Sequence, residues 1–380
     1  MKHSYHLDSL RGLLSLIVVL QHTAAAFIYS IDGVNSTLNT YMGLAAHFSV
    51  IFFFSLSGYV ITISITENIK RNNAFKFSEY FLSRSIRIIP PLIGTILLSA
   101  IFLVLLQQIN ATHAVGEFKY FIRNHYYPDM VSQLKSIISL TISGNLTGGN
   151  NNVNGALWSL VYEIQFYVFA GLLSVMLTSK RTWLKLLCLC IAVLYVNKLD
   201  IKPVLNIGNI AFTCFAAGSI CYIFKDLIIK LKVIPLVLFA AVIVTIGIQT
   251  GWENSIKQLR YNVDSTGNWM IYKIFLGCLF ASLLIYVGRF GKLISPFNKI
   301  SSFSYSLYIT HFPVIVFLWF IIINYAKTAL DYKYSLSIAT VIACLLIAKY
   351  FSVLFEKPKQ QREFITSMLN VITKASKKTD

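Results

Sequence analysis

The chain has 380 residues, of which 56% are hydrophobic and only 13% charged, and its mean hydropathy is +0.66. That balance excludes a soluble globular protein and a disordered chain, and it indicates an integral membrane protein with many spans. The net charge of +18 invites nucleic acid as a partner. The basic residues cluster between apolar runs, however, which is the pattern of membrane topology, so no nucleic-acid role is expected.

About ten spans are predicted, near residues 10–30, 41–66, 88–110, 156–178, 183–198, 206–229, 233–250, 268–288, 304–324 and 335–355. The fold class is therefore an all-α integral membrane bundle of about ten transmembrane helices, with residues 1–358 as one membrane domain. With the N-terminus in the cytoplasm, most of the 33 Lys and Arg residues fall on the cytoplasmic side, so both termini are expected there. No cleavable signal peptide is expected, because the first apolar run is too long for one and carries Arg11 and His22.

Span 1, Leu10–Ser30, holds Arg11 and His22. Eleven residues are just over three helical turns, so both side chains share one face, about 16 Å apart along the axis. Ionisable groups are expensive inside a bilayer and mark function by default. His is also the side chain suited to moving a proton near neutral pH. The plainer alternative is a histidine bonded to a neighbouring helix and an arginine reaching to the interface.

Span 2 contains Phe52-Phe53-Phe54-Ser55-Leu56-Ser57-Gly58-Tyr59, where small residues permit close helix approach. The following loop carries Lys70, Arg71, Lys76, Arg84 and Arg87 and ends at Pro90-Pro91. Arg84 and Arg87, spaced i,i+3, are expected to reach one patch. They either hold a phosphorylated ligand or simply set topology. His47 is a further polar group with no assigned role.

The external stretch 111–155 is the longest between spans. Within it Val131–Ser143 reads as a helix on the membrane surface. Span 4 opens with Trp158-Ser159-Leu160-Val161-Tyr162-Glu163-Ile164-Gln165-Phe166-Tyr167, placing Ser159, Glu163 and Tyr167 on one face. An intramembrane carboxylate needs a partner, and Arg or His from another helix is the natural one. Span 9 opens with Ser304-Tyr305-Ser306-Leu307-Tyr308-Ile309-Thr310-His311-Phe312-Pro313. Pro313 frees a carbonyl one turn earlier, and His311 beside it is either structural or catalytic. Residues 359–380 read as a basic cytoplasmic tail lying on anionic lipid. All six cysteines fall in apolar segments with no metal or disulfide spacing, and Cys188 and Cys190 face different ways. No internal repeat is evident.

Together these segments resemble the membrane-bound acyltransferase 3 family, whose members O-acylate cell-envelope glycans. Leu7-Asp8-Ser9-Leu10-Arg11-Gly12 through His22 is similar to its first-helix signature. Phe53–Tyr59 is similar to its Phe-Phe-x-x-Ser-Gly-aromatic stretch, and Arg84–Pro90 to its Arg-x-x-Arg-x-x-Pro loop. Trp158–Tyr167 resembles its Trp-Ser-Leu-x-x-Glu-x-x-Phe-Tyr motif. Ser304–Pro313 resembles its Ser-Tyr-x-x-Tyr-x-x-His-x-Pro motif, and Glu356-Lys357-Pro358 its Glu-x-Pro. The chain departs from the pattern at Ser9, where Gly is commoner. It departs also at Ser49-Val50-Ile51-Phe52, which lacks an acidic residue often found there, and no fused esterase-like domain is expected.

The resemblance implies an O-acyltransferase, most often an O-acetyltransferase, of the bacterial cytoplasmic membrane. It implies acetyl-CoA as donor and a polysaccharide or lipid-linked glycan as acceptor. His22, Arg11 and Glu163 are the expected catalytic residues, His22 either deprotonating the hydroxyl or briefly holding the acyl group, and Glu163 either orienting His22 or balancing Arg11. Arg84 and Arg87 are expected to bind the CoA phosphates. Asp8, Ser57, Trp158, Tyr167, Tyr305 and His311 are expected in support, and no metal is expected. The alternatives are a transporter or flippase of an envelope intermediate, and a membrane sensor or scaffold.

Overall fold

The structure is a computed structural model that describes residues 5–32, 37–111, 154–198, 207–230 and 268–357, with residues 238, 241, 245 and 363. Its described elements are all helical. The main ones are α1 (Tyr5–Ala24), α2 (Thr37–Asn72), α3 (Phe77–Gln108), α4 (Trp158–Thr178), α5 (Thr182–Lys198), α6 (Ile207–Ile223), α7 (Asn268–Leu283), α8 (Ser304–Tyr325) and α9 (Lys333–Phe355). Among the described residues six helices are long and apolar enough to cross a membrane, and a seventh arises if Ile274–Val287 and Gly291–Ser301, bent by 99°, form one span. Thr182–Ile191 and Ile210–Ile223 are shorter apolar helices. The expected span at 233–250, the surface helix at 131–143 and the tail lie outside the described residues, apart from the isolated positions named.

One expectation is corrected. Arg84 and Arg87 do not sit in a loop. The chain turns between α2 and α3, with Asn73 at φ 55°, a left-handed conformation that Asn tolerates well among L-residues. Helix α3 then runs unbroken through Arg84, Arg87, Pro90 and Pro91. Pro removes a donor but keeps a helical φ, and membrane helices tolerate it where neighbours satisfy the freed carbonyls. Both arginines thus ride on a membrane-length helix, fixed in orientation.

Helix α8 is the central element. In its apolar window 72% of residues are buried, against 28% for α9, which keeps Ile342, Leu346 and Tyr350 exposed. The cluster around α8 unites Trp319 and Phe320 with Val19 and Phe27 of the first helix, Leu106 of α3 and Cys344 of α9. Apolar burial alone cannot assemble such helices, because lipid is as apolar as Leu, so close backbone packing must contribute. A Cβ on Gly58 would collide with the Phe215 carbonyl, and one on Gly218 with the Ser55 carbonyl. Helices α2 and α6 therefore touch backbone to backbone. Ser219 reinforces the contact by donating to the Gly58 carbonyl at 3.2 Å.

Gly218→Ala is accordingly expected to destabilise the folded protein by about 1–3 kcal/mol, the usual cost of overpacking. Gly155→Ala should cost less, since its new Cβ would meet only the Phe312 ring at 3.4 Å. Thermal unfolding of both variants in detergent checks the order. Equal midpoints would show that the α2–α6 contact can relax.

Candidate active site

Pro313 organises the first part of the site. Its missing N–H leaves the Ile309 carbonyl without a helical donor, and the Asn154 side-chain amide fills that place at 2.7 Å. Two residues from both Ile309 and Pro313, His311 is fully buried and its Nδ1 lies 3.0 Å from the Leu307 carbonyl oxygen. Its Nε2 lies 2.8 Å from His22 Nδ1. The two ring centroids are 5.1 Å apart with planes 11° apart. That separation is about the nitrogen spacing plus one ring radius on each side, so the rings lie end to end in nearly one plane, not face to face. The hydrogen bond between them points along a lone pair, the favourable geometry. Phe312 presents its ring edge-on to His22 at 5.5 Å, and α1 passes into a π-helical turn, Ala25–Tyr29, just beyond His22.

The second part is a cavity of about 60 Å³ whose lining includes Arg11, Arg87, Ser57, Glu163, Tyr305 and Tyr308. Arg11 Nη1 is paired with Asp8 at 3.2 Å. Glu163 accepts a hydrogen bond from Tyr167 one turn along α4, and Ser57 Oγ lies 3.4 Å from both groups. Arg11, Arg84 and Arg87 all lie within electrostatic range of Glu163, while Arg11 pairs directly with Asp8 and Arg87 also feels Glu356.

Tyr308 separates the two parts. It lines the cavity, and its ring centroid is 5.9 Å from that of His311. It donates to the Ala156 carbonyl at 2.7 Å, so at the 2.6 Å contact with Ser159 the serine must be the donor, since a phenol has one proton.

The two arginines of α3 are not equivalent. Arg87 lines the cavity. Arg84 does not. It bonds Ser64 Oγ at 2.5 Å and lies 5.8 Å from the ring centroids of both Tyr80 and Tyr167. The shared patch expected from their spacing is therefore split, because residues three apart on a helix still diverge by about 60° around its axis.

Glu163 is bonded to Tyr167 and Ser57, with His22 instead bonded to His311. Of the two expected roles for Glu163, orienting His22 through a direct hydrogen bond is thereby corrected; Arg11 takes Asp8 as its ion-pair partner and has Glu163 within electrostatic range. Asp8 does pair with Arg11. Tyr305 donates to the Ile88 carbonyl at 3.3 Å. Trp158 packs edge-on against Tyr162, 6.2 Å between centroids.

Three contributors were not singled out from the sequence: Tyr308, Asn154 and Glu356 in its capping role. Pro313 announced a freed carbonyl, but nothing local named Asn154 as its donor. Glu356, just past the end of α9, accepts from the Ser306 backbone N–H at 2.8 Å and from the Ser306 hydroxyl. It thereby caps the start of α8, where a helix N-terminus favours negative charge. Burial raises the Glu356 carboxyl above the usual carboxylate range, and the Ser306 hydrogen bonds and Arg87 act against that rise. Among the described residues no group of three or more His, Cys, Asp or Glu is placed to hold a metal. Cys188 is buried and Cys190 exposed, as expected for opposite faces.

The chain matches the acyltransferase domain that defines the acyltransferase 3 family over residues 4–356. It belongs to that family and is a membrane acyltransferase. None of the curated proteins and no solved structure matches it.

Proposed function

We propose that this membrane acyltransferase is an O-acetyltransferase of the bacterial cytoplasmic membrane. In this reading it moves an acetyl group from cytoplasmic acetyl-CoA to a hydroxyl of a cell-envelope polysaccharide or its lipid-linked precursor. The observation that carries the reading is the hydrogen-bonded His22–His311 pair set beside an arginine-lined cavity, with Tyr308 as their common wall. A base stands at one side and an anion-binding surface at the other.

In this reading the CoA phosphates lie toward Arg11 and Arg87, with Arg84 supporting Glu163 and Tyr167 from behind. The thioester extends toward Tyr308. A sugar hydroxyl is a weak nucleophile near neutral pH, so it needs a base. His22 takes the hydroxyl proton as the oxygen bonds to the thioester carbon. The carbon–sulfur bond then breaks, and the departing thiolate takes the proton from His22, giving the acetyl ester and CoA. Glu163 keeps the arginines from being an uncompensated cluster of charge in the membrane.

Purified protein in nanodiscs, incubated with radiolabelled acetyl-CoA, is expected to release CoA and label an added envelope glycan, with release faster when the glycan is present. Movement of glycan across the bilayer without CoA dependence would favour the transporter reading. Neither CoA release nor glycan movement would leave only a scaffold.

A further inference from the structure

We propose that His311 is a positioning residue that fixes the tautomer of His22, so that His22 Nε2 alone carries the free lone pair used as base. The inference rests on the reading of His22 as base and specifies which of its nitrogens does the work.

The argument follows the protons. The Leu307 carbonyl can only accept, so His311 Nδ1, 3.0 Å from it, must carry a hydrogen. A neutral imidazole has one N–H, which leaves His311 Nε2 as an acceptor. His22 Nδ1 lies 2.8 Å from that nitrogen and must therefore be the donor. Its own single N–H is then used, and Nε2 is left unprotonated. Each ring's hydrogen bond sets the state of its other nitrogen. The coplanar, end-to-end arrangement of the rings aims both bonds well. Two conditions hold the chain in this direction. The Leu307 carbonyl cannot reverse its role, and His311 is fully buried, which shields both hydrogen bonds from bulk solvent.

The same bond serves after proton transfer. When His22 Nε2 takes the hydroxyl proton, the ring becomes an imidazolium whose Nδ1–H still points at a lone pair on His311. The charge is thus met by an oriented acceptor already in place. Nothing is consumed: the proton returns from Nε2 to the leaving sulfur, and both rings end as they began. Fixing a base by a second buried acceptor follows the logic of a triad, in which the wrong tautomer costs orders of magnitude in rate.

The test combines a spectroscopic signature with two variants. Protein labelled with 15N-histidine is examined in nanodiscs, with the His22 signals assigned by their loss in His22→Ala. In the wild type His22 Nδ1 is expected as the protonated, pyrrole-type nitrogen and Nε2 as the unprotonated one. His311→Gln keeps an acceptor oxygen near the position of Nε2, and His311→Leu removes it. With acetyl-CoA and an envelope glycan, the Leu variant is expected to lose roughly 10²-fold or more in kcat with little change in KM for acetyl-CoA. The Gln variant should recover most of that loss.

A His22 ring protonated at Nε2 in the wild type overturns the inference. So does a Leu variant with wild-type kcat, or a folded Gln variant that is as slow as Leu. Should the Leu variant not fold, the wild-type spectrum and the Gln variant decide alone. Failure of the underlying reading is separate: turnover retained in His22→Ala removes His22 as base, whatever its tautomer.

Discussion

His22→Ala is expected to abolish acetyl transfer while leaving acetyl-CoA binding intact. His22 is the one imidazole on α1 that meets the second histidine, and loss of a general base costs on the order of 10²–10⁴ in rate. The side chain is only partly buried, so its removal leaves no large void. It does strip the donor from His311 Nε2, and an unsatisfied buried acceptor costs about 1–3 kcal/mol of stability. Turnover and thermal midpoint are therefore to be measured together. A folded variant with near-normal turnover would show that the base lies elsewhere, with His311 and His47 the next residues to replace.

Arg87→Ala is expected to weaken donor binding far more than Arg84→Ala. Arg87 lines the cavity, and a lost charge-assisted hydrogen bond costs about 1.5–3 kcal/mol, roughly one to two decades in affinity. Arg84 is occupied by Ser64 and the rings of Tyr80 and Tyr167, so its loss should appear mainly as lower stability. The double variant should fall short of additivity, because both arginines act on Glu163 and Tyr167 and coupled sites do not add. Titration of CoA against the three variants in nanodiscs is the measurement. Unchanged affinity in Arg87→Ala would show that Arg87 does not hold the donor and would leave Arg11 as the arginine of this cavity to replace next.

Helix α3 shows where a sequence pattern misleads. Pro90-Pro91 after a basic run suggests the end of a loop, and in water it often is one. Here the helix continues, as membrane helices do where neighbours satisfy the carbonyls that proline frees. The i,i+3 spacing of Arg84 and Arg87 was likewise sound as far as it went. It fixed their relative direction and could not say that Ser64 would capture one and a cavity the other.

The sequence by itself determined the all-helical membrane class, because twenty apolar residues in lipid must bond their own backbone. It singled out the residues expected to carry chemistry, because charge inside such a segment is costly and defaults to a functional reading. It also determined contacts within a single helix, such as Asp8 with Arg11 and Glu163 with Tyr167, which the 3.6-residue turn imposes. The pairing of His22 with His311, 289 residues apart, was decided only by the tertiary structure, as were the filling of the Ile309 carbonyl by Asn154 and the capping of α8 by Glu356. Those partners are chosen by how whole helices pack, and close backbone approaches such as the one between α2 and α6 at Gly58 and Gly218 leave no periodic trace in the chain.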